Sequence, residues 1–484
     1  MIKKLKSAYE LASQRVIVSK YAEEIAAEDK RERERRYEID ALPDFVDDWA
    51  RPDKGVSKSL TIEESGPSSF HSRKEIELYR EKQQEEQITK EKYMVPQQEK
   101  ITINFNEDPM EIHWYGHFTS YSGFSRQNRA YAFGLSNKNT KVKVDIQEGT
   151  VDINSATHEQ LKAMSKTEIS PSAPKVYGAT VPLRLAHGGP KILYTMMETS
   201  QTLHKGYVDK INLYDEIWVP TKLGKELFKN NGVRPNIRVM PLGVDTSRYN
   251  PNARPMRFDC GLKRFVFLSV FKWGYRKGYD VLLKSFMEEF SSSDDVSLLI
   301  VSRTDVNHKP EIIIEDFKNI RNGILKKDFE LPHIALYDKS IKEKDMPGVY
   351  AAADAFILMS RGEGFCLPIY EAGACNLPII STNCSGQSEL LNYENSYLVE
   401  PEGYSEARIN GNMSRLAKHC GFYEDQLFPN FGRESIEQAK DYMRKVYEDS
   451  GESNEMVNKL GKIIRENYTW DMAVDRVYAR LREF

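Results

Sequence analysis

Two glutamates, Glu363 and Glu371, stand eight positions apart in a stretch that also carries two glycines and a proline. Gly362 and Gly364 flank the first glutamate, and glycine allows a sharp turn and a close approach of the backbone to a ligand. Pro368 is typical of the first turn of a helix, where the amide that proline lacks has no partner in any case. The pattern predicts a loop that carries Glu363 and a helix that carries Glu371.

Both carboxylates are thereby placed near the N-terminal end of one helix, where unpaired amides and the helix dipole favour anionic ligands. A carboxylate accepts hydrogen bonds from paired hydroxyls, such as those of a ribose or a hexose. Two carboxylates beside an anion-binding turn suit a ligand with sugar hydroxyls at both ends and phosphate between them. A nucleotide-sugar has this chemistry.

A cluster of cations precedes this stretch in the chain. Residues 254–284 contain eight Lys and Arg against two Asp and Glu, in a chain whose net charge is −3. The apolar run 264–270 predicts a buried strand, so that Lys272, Arg276 and Lys277 fall in the turn between this strand and the helix after it. Cations in such a turn suit a diphosphate leaving group.

The elements that must position these residues alternate between strand and helix. Such alternation predicts an open parallel α/β sheet, in which ligands bind at the carboxyl ends of the strands. The predicted strands are 111–115, 142–145, 192–196, 216–220, 237–241, 264–270, 296–301, 334–338 and a strand from residue 379, with helices at 124–135 and 221–230 among them.

The residues around the two glutamates resemble a known family. The run Glu363-Gly364-Phe365-Cys366-Leu367-Pro368, followed by Glu371-Ala372 and by Leu377-Pro378-Ile379-Ile380, resembles the E-x7-E signature of retaining GT-B glycosyltransferases, specifically glycosyltransferase family 4. Residues 350–356 before it and 384–386 after it extend the match. The spacing of two glutamates alone arises easily by chance, whereas the whole ordered pattern is specific.

The resemblance covers roughly residues 110–482 and implies an α/β fold of GT-B architecture. Two Rossmann-like parallel-sheet domains would face a cleft, preceded by a charged, largely helical N-terminal arm. The implied boundaries are 1–104 for the arm and linker, 105–250 for the acceptor domain, 251–457 for the nucleotide-sugar-binding domain, and 458–484 for a C-terminal helix that packs back on the first domain.

The resemblance also assigns roles within the site. It implies that Glu363 contacts the hydroxyls of the donor sugar, that Glu371 contacts the ribose, and that Lys277, with Lys272 and Arg276, holds the phosphates. The family usually carries arginine where this chain has Lys272, and lysine is a point charge without the bidentate fork of arginine. The remaining residues implied to line the donor site are Gly123, Tyr337, Asp338, Gly364, Phe365 and Leu367.

Two residues of the first domain are weaker candidates. His117 follows the first predicted strand, next to Gly116, where it could contact the acceptor or the donor sugar, although a lone histidine is more often structural. Glu198 follows the predicted strand 192–196, where a ligand of the sheet would lie, and a helix-capping role on the surface is its alternative interpretation.

The implied reaction moves a sugar from a nucleoside-diphosphate-sugar to an acceptor hydroxyl, with retention at the anomeric carbon. The implied acceptor is a saccharide or a glycoconjugate. We expect no cofactor and no metal, because the donor is a substrate and the chain carries no Asp-x-Asp motif. Two alternatives stay open: glycosylation of a nucleic-acid base or a protein side chain by the same fold, and a non-catalytic structural or assembly protein.

The composition excludes several classes of protein. The net charge of −3 and a pI near 6.4 argue against general affinity for nucleic acid. No apolar run approaches the ~18 residues that a membrane span requires, and the first residues lack the apolar core of a signal peptide. Five thinly spread cysteines fit reduced thiols and show no zinc spacing. We therefore expect a cytoplasmic protein without a transmembrane segment.

The predicted arm is the most charged part of the chain. Residues 1–104 carry 20 Lys and Arg and 22 Asp and Glu, in two predicted helices separated by a segment rich in Pro and Gly. Such a segment buries little apolar surface on its own. We expect it to mediate oligomerisation or docking to a protein partner, or else to be partly disordered.

Overall fold

The computed structural model describes residues 108–484, except residues 121, 148–152, 181–184, 200, 304–309, 325–329, 408–425 and 449. The charged arm predicted over residues 1–104 lies outside the described residues. Two six-stranded parallel sheets organise the described chain, one before residue 240 and one after residue 264. The predicted pair of parallel-sheet domains is therefore confirmed.

The first sheet has the strand order β2-β1-β3-β4-β5-β6, and all neighbouring strands are parallel. Every residue of β3 and β5 is buried, as expected for parallel strands covered by helices on both faces. The strands are β1 Met110–Gly116, β2 Thr140–Ile146, β3 Lys175–Gly178, β4 Lys191–Tyr194, β5 Glu216–Val219 and β6 Asn236–Val239. The helices are α1 Gly123–Ser136, α2 Ser155–Ser165, α3 Lys205–Ile211 and α4 Lys222–Asn230.

The second sheet has the order β12-β11-β10-β7-β8-β9 and is also parallel throughout. Its strands are β7 Phe265–Lys272, β8 Val296–Arg303, β9 His333–Tyr337, β10 Ala355–Leu358, β11 Ile379–Thr382 and β12 Tyr397–Val399. Its connecting helices are α5 Tyr279–Glu289, α6 Pro310–Ile324, α7 Met346–Ala351 and α8 Leu367–Ala374. A short 3-10 helix, Tyr275–Lys277, precedes α5, and a second one spans Ser385–Glu389.

The C-terminal part of the chain returns to the first sheet. A small antiparallel pair, β13 Tyr404–Glu406 and β14 Leu427–Pro429, precedes the helices α9 Arg433–Glu448, α10 Ser450–Asn467 and α11 Trp470–Leu481. The helix α10 packs on α8, and the boundary predicted at residue 458 lies inside α10. The last helix, α11, packs on α1 so closely that a Cβ atom at Gly134 would lie 2.4 Å from a methyl carbon of Val474.

The carboxyl ends of the two sheets face each other. The loop after β10 contacts the loop after β4, because a Cβ atom at Gly362 would lie 1.6 Å from the carbonyl oxygen of Glu198. A Cβ atom at Gly364 would lie 2.5 Å from the sulfur of Met196. Ligands of open α/β sheets bind at this edge. Among the described helices, none combines the length and the apolarity needed to cross a bilayer.

Candidate active site between the two sheets

The loop that carries Glu363 is held in one sharp conformation. Its last residue, Cys366, adopts the left-handed region with φ of 73°, which costs a non-glycine residue on the order of 1 kcal/mol or more. Pro368 stands in the first turn of α8, as predicted. The amide of Glu363 donates to the Ser385 hydroxyl at 2.9 Å, and the amide of Gly386 donates to the Glu363 carbonyl at 2.8 Å. The loop is therefore fixed from both sides.

Glu363 is a buried carboxylate with two cations beside it. Its side chain is 7% exposed, and Lys277 Nζ donates to its Oε1 at 2.5 Å while Arg276 Nη1 lies 3.5 Å from its Oε2. Burial alone would raise the pKa of Glu363, but the charges of Lys277 and Arg276 outweigh burial and lower it below its ordinary value. Glu363 is therefore ionised at neutral pH and acts only as a hydrogen-bond acceptor.

The turn that carries the two cations is anchored to the same loop. Gly278 has a φ of 66°, and a Cβ atom there would lie 1.7 Å from the carbonyl oxygen of Met359. Arg361 donates to both carboxylate oxygens of Asp280 at 2.7 Å and to the Tyr275 carbonyl at 2.8 Å. The sequence analysis assigned no role to this arginine. It binds the loop after β10 to the turn after β7, so that the Lys277 and Glu363 side chains meet.

Arg276 extends this cluster to the first domain. Its Nη2 lies 2.9 Å from Glu198 Oε1, and its Nη1 also donates to the Gly362 carbonyl. Glu198 therefore contacts the second domain, through its side chain on Arg276 and through its backbone on the loop after β10. If Glu198 only capped a helix at the surface, it would have no reason to pair with a cation of the other domain.

Glu371 lies on α8 and is nearly inaccessible, with 1% of its side chain exposed. The Tyr350 hydroxyl donates to Oε2 at 2.6 Å, and Arg126 Nη2 donates to Oε1. Burial raises the pKa of Tyr350 well above its ordinary value, and the neighbouring Glu371 charge adds to this effect. Tyr350 is therefore a neutral hydrogen-bond donor.

Arg126 comes from the second turn of α1 in the first domain, 245 positions before Glu371. Burial would lower the pKa of Arg126, but the attraction of Glu371 raises it above its ordinary value. Arg126 is not among the residues predicted from the sequence. No local motif signals it, because its partner belongs to the other domain.

The structure places the remaining predicted site residues at the same edge of the sheets, at or after the carboxyl ends of strands. Lys272 is exposed at the end of β7, and His117 is exposed directly after β1. Gly123 begins α1, with no atom within 4 Å of an added Cβ. Tyr337 and Asp338 are half-buried at the end of β9.

Phe365 and Leu367 are core residues in this structure. Phe365 is 1% exposed and stacks on Tyr370 with ring centroids 4.0 Å apart, and Leu367 is 7% exposed. Their side chains therefore support the loop after β10. In the described part of the chain, no group of three or more His, Cys, Asp or Glu side chains is arranged to hold a metal ion.

This arrangement can bind a ligand that has an anionic group next to hydroxyls. The anionic group of the ligand would pair with the ammonium of Lys277 and the guanidinium of Arg276. A hydroxyl of the ligand would donate a hydrogen bond to the Glu363 carboxylate. Lys277 and Glu363 now contact each other. In the bound state the anionic group would replace Glu363 beside Lys277, and the hydroxyl would replace Lys277 beside Glu363, so neither charged side chain is left without a partner.

Comparison with known proteins supports the resemblance. Residues 262–418 match the sequence profile described as Glycosyl transferases group 1. Mannosylfructose-phosphate synthase from Agrobacterium fabrum (strain C58) is 24% identical over 203 residues, which cover 38% of this chain and 44% of that protein. Spore coat protein SA from Bacillus subtilis (strain 168) is 27% identical over 192 residues, which cover 36% and 49%. The chain thus spans less than half the length of these relatives.

A solved structure with the same architecture is Anabaena Alr3699/HepE in complex with UDP-glucose. It superimposes with a TM-score of 0.56 at 14% identity, covering 78% of this chain and 100% of that chain. At this identity the likeness shows the fold. The chain therefore has the GT-B fold, and its resemblance to Glycosyl transferases group 1 is confirmed over residues 262–418.

Proposed function

We propose that the protein is a retaining glycosyltransferase that moves a sugar from a nucleoside-diphosphate-sugar to a hydroxyl of a saccharide or glycoconjugate acceptor. The observation that carries the proposal is the buried Lys277–Glu363 pair, 2.5 Å apart at the carboxyl edge of the second sheet and opposite the first. A cation and a carboxylate fixed side by side match the diphosphate and the sugar hydroxyls of such a donor.

The proposed roles follow from the charges. Lys277 and Arg276 hold the diphosphate, with Lys272 at the mouth of the same turn, and Glu363 accepts hydrogen bonds from the donor sugar. Glu371 accepts from the ribose hydroxyls. Solved GT-B structures at low identity were obtained with UDP-glucose and with UDP and glucose, which supports this donor class.

In the proposed reaction the anomeric carbon–oxygen bond breaks through an oxocarbenium-like state, and the diphosphate leaves with the bonding electron pair. The acceptor hydroxyl then attacks from the same face and passes its proton to an oxygen of the departing diphosphate. No protein nucleophile is required. Lys277 and Arg276 stabilise the negative charge that develops on the leaving diphosphate, and Glu363 fixes the sugar against them. These cations also make the proposed reaction independent of a divalent metal.

Release of nucleoside diphosphate from a panel of UDP-, GDP- and ADP-sugars tests the proposal. We expect release from one nucleotide class, product with the anomeric configuration of the donor by NMR, and loss of release in Lys277→Met. Lys263→Met is the matched control, because Lys263 lies in the same basic stretch but is exposed away from the site. A folded protein that releases nothing from any donor would instead favour the non-catalytic assembly alternative.

A further inference from the structure

We propose that Arg126 of the first domain competes with the ribose of the donor for the Glu371 carboxylate. Nucleotide binding then exchanges an ion pair between the domains for hydrogen bonds to the ligand. The proposal rests on the proposed function, because it takes Glu371 as the ribose acceptor.

Both carboxylate oxygens of Glu371 are hydrogen-bonded in this structure. Arg126 contacts Oε1 and the Tyr350 hydroxyl contacts Oε2, while only 1% of the Glu371 side chain is exposed. Tyr350 belongs to the same domain and leaves lone pairs on the carboxylate unused. Arg126 covers the carboxylate from the first domain and is itself 18% exposed. A ribose diol reaches Glu371 only after the guanidinium has moved away.

A second carboxylate, that of Glu343, lies near the Arg126 guanidinium. Arg126 Nε lies 3.7 Å from Glu343 Oε1, and the Glu343 side chain is 39% exposed. Arg129, one turn later on α1, lies 3.1 Å from Glu343 Oε2. Arg126 therefore sits between a buried and an exposed carboxylate of the second domain. The Arg126 guanidinium can therefore leave Glu371 and still lie beside the negative charge of Glu343. This lowers the free-energy cost of replacing Arg126 by the ribose at Glu371.

The two ion pairs of the site differ in the domains that they join. Lys277 and Glu363 belong to one domain, so separation of these two side chains breaks no contact between the domains. Arg126 and Glu371 belong to different domains, so a donor that separates them removes a contact across the cleft. Ligand binding and domain contact are therefore coupled through Arg126.

Isothermal calorimetry with UDP, GDP and ADP tests this competition in four proteins: wild type, Arg126→Met, Glu371→Gln and the double variant. We expect Arg126→Met to bind the preferred diphosphate at least about fivefold more tightly than wild type, the lower end of the range for two coupled sites. In the Glu371→Gln background, Arg126→Met should change affinity by less than about twofold. Lys138→Met is the matched control, because Lys138 lies just beyond α1 and pairs with Asp475 on α11.

Unchanged or weaker binding by Arg126→Met overturns the competition and makes Arg126 a support for Glu371. A tightening that persists in Glu371→Gln also overturns it, because Arg126 would then act elsewhere. If Arg126→Met does not fold, Arg126→Lys replaces it in the test. Lysine lacks the planar guanidinium and should hold Glu371 less tightly, so we expect Arg126→Lys to bind the preferred diphosphate more tightly than wild type. If none of the proteins binds any of the three diphosphates, the proposed function itself fails, which is a separate outcome.

Discussion

Replacement of Lys277 by methionine leaves the Glu363 carboxylate buried without the cation that lies 2.5 Å from it in the native protein. Loss of one partner of a buried ion pair destabilises a protein by about 3–5 kcal/mol, because the remaining charge has neither water nor its partner. Arg276 stays 3.5 Å from the other carboxylate oxygen. We therefore expect the lower end of the range, a loss of about 3 kcal/mol in the free energy of unfolding.

Urea unfolding measures this loss, and the double variant Lys277→Met/Glu363→Gln separates its cause. The double variant removes the buried charge together with its cation, so we expect it to recover on the order of half the loss. The exposed Lys263→Met control should stay within about 0.5 kcal/mol of wild type. A double variant no more stable than Lys277→Met would refute the reasoning, since an uncompensated charge could not then be the source of the loss.

The same pair predicts a pH dependence of stability. Burial alone would raise the pKa of Glu363, but Lys277 and Arg276 lower it below the ordinary 4.5. A carboxyl group whose pKa is lower in the folded state stabilises that state above the unfolded pKa. It loses this contribution as the pH falls through the folded pKa. The free energy of unfolding should therefore decline below about pH 4.5 more steeply in wild type than in Lys277→Met, and equal slopes would contradict the assignment.

Five further predictions concern the site and the chain around it. In an Arg126→Met background, Glu371→Gln should weaken binding of the preferred diphosphate by about 1.5–3 kcal/mol in calorimetry. Glu363→Gln should not weaken that affinity, because it frees Lys277 for the diphosphate, but it should lower turnover of the nucleotide-sugar; equal affinity losses would contradict the division of roles. Transfer in excess chelator should stay within a few-fold of transfer with metal, whereas complete loss restored by manganese would exclude the proposed charge stabilisation. Gly362→Ala should destabilise the protein by on the order of 1–3 kcal/mol, because its Cβ would lie 1.6 Å from the Glu198 carbonyl oxygen. Gly323→Ala, on α6 with no atom within 4 Å of the added Cβ, is its control and should be stabilising by up to about 1 kcal/mol. Deletion of residues 1–104 should leave a folded domain pair with donor turnover but with a changed elution volume in size-exclusion chromatography, and an insoluble product would show that the arm is part of the enzyme.

The sequence by itself indicated the two parallel sheets, and its family resemblance assigned Lys277 and Glu363 to one site. Buried strands and helices alternate along the chain, and parallel strands bring their carboxyl ends to one edge. Lys277 follows β7 and Glu363 follows β10, and these two strands are neighbours in the sheet. The family resemblance assigned both residues to one site, and the pairing of β7 with β10 brings them into contact although 86 positions separate them. Pro368 likewise marked the first turn of α8.

The sequence was weakest where an element is short. The predicted strands omit β3, β10 and β12, which have only three or four residues each. The first of them, β3, begins with the charged side chain of Lys175. Lys175 is nevertheless buried, because its ammonium donates to the carbonyls of Pro171 at 2.8 Å and Ala173 at 3.1 Å. The backbone carbonyls of a nearby bend therefore compensate the buried charge of Lys175. The hydrophobic pattern of four residues cannot predict such contacts.

Only the tertiary structure decided what surrounds Glu371. The E-x7-E spacing placed Glu371 on the right helix, but its contact with Arg126 joins residues 245 positions apart in different domains. That contact depends on how the two sheets are oriented across the cleft. Many weak contacts set this orientation, among them the approach of Gly362 to Glu198 and the packing of α11 on α1. A local pattern encodes a turn or a helix through the backbone preferences of its own residues. It carries no information about which charge from another domain will reach it.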